Sequence, residues 1–155
     1  MFFNSPGQKP TRKSCDEIIH DLRNKNLLLQ STFKAKRAFQ VEEFDDEGSH
    51  YFIELEDGNV LYLNGQYLYD YEPIEDDPEF NQERSFPCTE FTILRHKTED
   101  YVLKIETGGK VLEPEVLTSS FTISDYKKGI APEDGQLIKD RSYDQIKNER
   151  TTCST

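Results

Sequence analysis

Cysteine is scarce in this chain of 155 residues, and positive charge is scarce in its middle. Cys15, Cys88 and Cys153 stand far apart and form no CxxC pair, which excludes a disulfide framework and fits a reducing compartment. No apolar run approaches the length of a membrane span, and MFFNSPGQKPTRK has no secretory apolar core. The expectation is a cytoplasmic protein without a membrane partner. Gly-x-Ser-x-Gly, His-Glu-x-x-His and phosphate-cradling glycine loops are all missing, so no catalytic residue is assigned. Apolar residues are 34 % of the chain, fewer than the roughly 45–50 % of an ordinary domain, so part of the chain is expected to stay outside the core.

Aromatic rings and carboxylates are what the chain does have. Ten Phe and eight Tyr point to a core built around rings and exclude disorder of the whole chain. The net charge of −11 is unevenly spread. Residues 1–40 carry eight Lys/Arg against three Asp/Glu, whereas residues 41–100 carry three against eighteen. Such a block repels nucleic acid and anionic membrane and attracts a protein partner with a basic surface. The plainer reading is a solvated, self-repelling surface.

Residues 1–13, with Lys9, Arg12 and Lys13, read as a flexible basic arm. Ser14 with Glu17 forms a capping-box signature for a helix to about Asn24, with Ile18, Ile19 and Leu22 on one face. From Phe33 the period changes to two, giving a strand interrupted where Arg37 and Ala38 exchange roles. Asp57-Gly58 and Asn64-Gly65 are hairpin signals. Two-residue loops at both would set Leu55 opposite Val60 and Tyr62 opposite Tyr67. That register predicts one face of Tyr51, Ile53, Leu55, Val60, Tyr62, Tyr67, Tyr69 and Tyr71. It also leaves a patch of Phe52, Leu61, Leu63 and Leu68 for the N-terminal helix, or a second copy, to cover.

Residues 72–85 read as a long acidic loop, and Gly108-Gly109 as a further hairpin turn. The expected fold is mainly β: an antiparallel meander of about seven strands in a small barrel or strongly curled sheet. A helix packs on it within a domain of residues 14–118. Residues 119–155 read as an irregular C-terminal extension, part of the same domain or partly disordered, with Ser124 and Ser142 as helix caps.

Two function classes follow. The first is a non-catalytic protein-interaction module using Tyr69, Tyr71, Glu72, Asp76, Asp77 and Phe80, with Phe80 as an apolar anchor in an acidic loop. Against it stands the use of period-two tyrosines as core filling. The second is a small-molecule or metal-binding protein with a pocket at the sheet mouth, drawing on His50, Glu54, Cys88 and His96. Burial of Glu54 would raise its pKa, unless it snorkels outward or pairs with Lys25 or a nearby Arg. Asp45, Asp46 and Glu47 cluster in one turn without calcium-loop spacing. Cys88 and His96, eight residues apart on one strand, are separated by ~26 Å and cannot share a metal on a straight strand. No metal or cofactor is expected, and monomer and homodimer remain open alternatives.

Overall fold

The computed structural model describes residues 14–74 and 82–152. Its elements, in chain order, are α1 (Cys15–Asn24), β1 (Leu28–Val41), β2 (Ser49–Leu55), β3 (Val60–Gly65), a 3₁₀ helix (Gln66–Tyr71), β4 (Cys88–His96), β5 (Val102–Val111), β6 (Leu117–Thr118), α2 (Ile123–Lys127), β7 (Leu137–Ile138) and α3 (Tyr143–Thr152). The seven strands form one sheet in the order β5-β4-β1-β2-β3-β7, with β6 pairing β1 in parallel. The sheet has two ends and is open, so the expected barrel does not form.

The described residues divide into two compact units, 14–31 with Ile93–Ile105, and 32–92 with 106–152. In the first unit, Ser14 caps α1 by accepting the Glu17 amide at 3.2 Å, and Asp16 and Glu17 occupy the first turn as the helix dipole favours. Cys15 Sγ reaches the Leu103 carbonyl at 3.5 Å, and Asp16 lies 3.7 Å from Lys104 Nζ, which fastens α1 to β5.

The second unit overturns the expected register. The Asp57-Gly58 hairpin pairs Phe52 with Tyr62, Ile53 with Leu61 and Glu54 with Val60. The loop holds three residues rather than two. The Leu55 amide donates to the Asn59 carbonyl, Gly58 takes φ +90°, and the Asp57 carboxylate accepts the Asn59 amide at 2.9 Å. Three-residue hairpins that close on a positive-φ glycine are a common solution. One extra loop residue moves every β3 side chain to the opposite face relative to β2.

One face therefore carries Phe39, Val41, Phe52, Val60 and Tyr62, all buried. The C-terminal segment covers it: Phe121, Ile138, Tyr143 and Ile146 complete that core cluster. Phe39 stacks on Phe52 with centroids 5.0 Å apart, and Tyr143 meets Phe39 edge-on at 5.5 Å. Four residues of the C-terminal segment thus belong to the core. The Phe52–Leu68 patch expected under α1 does not exist, because Phe52 and Leu61 lie on opposite faces and both are buried. On the other face, Tyr51 and Phe91 each pack edge-on against Phe86, which returns from the acidic segment.

Three smaller expectations are corrected. Asn64 and Gly65 are ladder residues opposite His50 and Ser49, not a turn, so residues 66–71 leave the sheet as a 3₁₀ helix. Gly108 and Gly109 lie inside β5: the chain keeps to β4 beyond them, with the Leu112 amide donating to the Pro87 carbonyl at 2.8 Å. The cap of α2 is Thr122 in a capping box with Asp125, rather than Ser124, because Asp125 can answer from three positions on. The interruption in β1 falls where expected, with a register shift between Ala35 and Arg37. Ser142 and Gln145 cap α3 reciprocally at 2.8 and 3.1 Å.

Candidate functional site

Glycine at two positions brings two acidic segments together. Gly48 has φ +109°, and a Cβ there would lie 2.1 Å from the Gly65 carbonyl carbon. Only glycine allows that approach. It places the 42–47 loop beside the 3₁₀ helix. Gln66 Nε2 then donates to the Asp46 carbonyl at 2.7 Å, and the Tyr69 hydroxyl donates to Glu43 Oε2 at 2.5 Å. The Glu43 hydrogen bond, with a smaller contribution from burial and from the fields of Asp46 and Glu72, raises the Tyr69 phenol pKa.

The loop is held from below by a buried relay. Glu47 accepts the Phe44 amide at 2.9 Å and the Asp45 amide at 2.6 Å. His50 Nε2 lies 2.9 Å from Glu47 Oε1, and its Nδ1 lies 2.5 Å from the Tyr62 hydroxyl. A carboxylate only accepts, so His50 Nε2–H donates to Glu47. Burial pushes the Glu47 carboxyl up, but His50 and the backbone amides outweigh it and take it down to about 2.

This scaffold presents Phe44, 53 % exposed, and Tyr69, 36 % exposed, among carboxylates. Glu42, Asp45, Asp46 and Asp70 are exposed, while Glu43, Glu47 and Glu72 are half-buried. No Lys or Arg occurs in the sequence from 38 to 83. The Asp45–Glu47 carboxylates satisfy their own turn: Asp45 Oδ1 accepts the Asp46 amide at 3.0 Å. Among the described residues, no group of three His, Cys, Asp or Glu is placed to hold a metal ion.

Tyr69 and Tyr71 sit on the 3₁₀ helix, not on a strand. Tyr71 is half-buried, with its ring 6.5 Å from Phe86 and its carbonyl accepting the Ser85 amide. Glu72 turns inward to accept from the Tyr51 hydroxyl, which also takes Arg84 Nη1 at 3.0 Å. Burial, then Glu72, raises the Tyr51 pKa. Asp76, Asp77 and Phe80 lie outside the described residues, as do the basic arm and Cys153. The outer edge of β3 is covered by residues 134–138, through Tyr62 amide to Gln136 carbonyl at 2.9 Å and Asn64 amide to Asp134 Oδ1 at 2.9 Å.

The four pocket candidates have separate surroundings. Glu54 accepts Arg37 Nε at 2.8 Å, and Arg37 also reaches Asp144 at 3.0 Å and lies 4.5 Å over the Tyr143 ring. Those bonds, Glu54 first, raise the Arg37 pKa. Cys88 is buried with Sγ 3.1 Å from the Glu90 carbonyl, and burial pushes its thiol up. His96 Nδ1 accepts the Glu99 amide at 3.1 Å, so it organises the β4–β5 turn. His50 belongs to the relay under the acidic loop.

Sequence reasoning missed Glu43, which joins Tyr69 through the Gly48–Gly65 approach, and its exposed neighbour Phe44. The uninterrupted absence of positive charge from 38 to 83 is the signal that marks them. No helix among the described residues is long and apolar enough to cross a membrane. No family model matches the chain, and neither a curated protein nor a solved structure matches it.

Proposed function

We propose that this is a non-catalytic protein-interaction module that receives a basic surface of its partner on the 42–47 loop and the 3₁₀ helix. The observation that supports this most is the two exposed rings, Phe44 and Tyr69, on segments that carry six further carboxylates besides the inward-turned Glu72, with no Lys or Arg in the sequence from 38 to 83. Carboxylates steer a Lys- or Arg-bearing surface into contact. Exposed rings supply apolar anchors, and Tyr69 a face for a guanidinium or ammonium. Asp76, Asp77 and Phe80 extend the same composition along the chain.

The test is capture from native lysate at low and moderate salt, with the native chain and a Phe44→Ser/Tyr69→Ala double variant as baits. Both side chains are exposed, so the variant keeps the core. One dominant protein that is retained at low salt, released at moderate salt and absent from the variant is the expected result. Equal capture by both baits rules out this surface.

A further inference from the structure

The 3₁₀ helix that carries Tyr69 begins without a cap of its own. Gly65 stands at the N-cap position and has no side chain to accept from the first amides. The far end of the helix is tied down by Gln82, whose Nε2 donates to the Asp70 and Glu72 carbonyls at 2.8 and 2.7 Å. At the near end the ties run to distant segments. Gln66 reaches the 42–47 loop, and Tyr67 reaches the C-terminal segment.

Asp134 makes that second tie. β7 pairs Val60 and Leu61 of β3, and beyond it the Tyr62 amide donates to the Gln136 carbonyl at 2.9 Å. At Asn64 a carboxylate takes the place of a ladder carbonyl. Asp134 Oδ1 accepts the Asn64 amide at 2.9 Å and the Tyr67 hydroxyl at 2.7 Å. One oxygen thus bridges the end of β3 and the first turn of the 3₁₀ helix, from 70 and 67 positions away in the sequence. Hydrogen bonds to an ionised acceptor are the stronger kind. The carboxylate is itself held in place. The Gly135 amide donates to the Tyr62 carbonyl at 2.8 Å, and the Gln136 amide closes the turn on the Glu133 carbonyl at 3.0 Å.

We propose that, on the docking reading above, Asp134 is the residue that positions the surface. It holds the first turn of the 3₁₀ helix, and with it Tyr69 beside Glu43, so the C-terminal segment controls the docking surface. Asp134 is a positioning residue: it acts through Asn64 and Tyr67 rather than by contact with the partner.

The experiment is an amide chemical-shift titration of the labelled full chain with a short peptide of alternating Arg and Ser at low salt. It compares the native chain with Asp134→Ala, Asp134→Asn and Tyr67→Phe. Asp134→Ala removes both hydrogen bonds and the charge, whereas Asp134→Asn removes the charge but keeps an acceptor oxygen with two lone pairs. Asp134→Ala should weaken the peptide about fivefold, because the first turn then occupies its binding position for only a fraction of the time. Asp134→Asn should stay within about twofold of the native chain, and Tyr67→Phe, with no change of charge, should fall between the two. Before any peptide is added, Asp134→Ala should already shift the Gln66 and Tyr69 amides, whereas Gly58→Ala, which loses stability elsewhere, should not. Unchanged affinity in Asp134→Ala, or equal weakening by Asp134→Ala and Asp134→Asn, overturns the role of Asp134 and leaves the docking surface standing. A native chain with no saturable shift in 42–48 and 66–72 overturns the docking surface and the role of Asp134 with it. If Asp134→Ala does not fold, Tyr67→Phe decides: unchanged affinity and unchanged Tyr69 shifts overturn the proposal.

Discussion

At position 48 the backbone leaves no room for a side chain, and that single constraint sets the geometry of the acidic surface. Gly48→Ala combines a positive φ with a Cβ 2.1 Å from the Gly65 backbone. The φ strain alone costs about 1–3 kcal/mol. The expected outcome is a clear drop in melting temperature together with altered Tyr69 and Gln66 resonances. Gly58, whose Cβ would meet nothing, should lose stability by strain alone without disturbing those resonances. Equal spectra for the two variants would contradict the assigned role of Gly48.

Glu47 carries a pH signature. Its carboxyl is depressed from the ordinary 4.5 to about 2, so the unfolded chain takes up the proton first as pH falls. Its stabilisation is complete above about pH 4.5 and fades as pH drops towards 2. Denaturant melts of the native chain and Glu47→Ala should therefore differ most near neutral pH and converge below pH 3. At neutral pH the variant leaves buried His50 Nε2 without its acceptor, at a cost of about 1–3 kcal/mol. A difference that stays constant down to pH 2.5 would contradict the Glu47–His50 bond.

At the scale of elements, local signals were legible and long-range pairing was not. Ser14, the β1 interruption and the Ser142–Gln145 cap are decided by residues within a few positions of one another, and the structure has them where the sequence puts them. The Asp57-Gly58 turn was legible as a turn, but its loop length was not. One additional residue there reverses which β3 side chains join Phe52. The C-terminal segment reads as irregular because Phe121, Ile138, Tyr143 and Ile146 are spread among polar residues over a long stretch. Only the sheet face they cover makes them a set.

This reassignment changes which terminus matters for the exposed face. Removing residues 143–155 takes Tyr143 and Ile146 off Phe39 and Phe52. Losses of large buried side chains cost about 2–5 kcal/mol each, so the truncated chain should lose its cooperative melt and bind a hydrophobic dye. A truncated chain that melts like the native one would show that the C-terminal segment does not hold the core. Within the full chain, Phe121→Ala should cost about 3–5 kcal/mol by denaturant melt.

At the scale of the whole molecule, charge layout is the feature most legible in the sequence. The net charge of −11 arises in the middle of the chain, and the fold gathers part of that block on one surface with two exposed rings. The site residues named from sequence were legible as an acidic and aromatic composition, but not as an arrangement. Tyr69 lies on this surface, whereas Glu72 turns towards Tyr51 and Arg84 and Tyr71 lies partly under Phe86. The partners of Tyr69 come from a loop some 25 residues upstream, which no local pattern connects to it.

The central claim is that the 42–47 loop and the 3₁₀ helix receive a basic surface. An amide chemical-shift titration of the labelled chain with a short peptide of alternating Arg and Ser, at low and at moderate salt, tests it most directly. The account predicts saturable shifts confined to residues 42–48 and 66–72 at low salt, weakened strongly at moderate salt and lost in Phe44→Ser/Tyr69→Ala. Shifts scattered over every carboxylate, or none in these two segments, would contradict it.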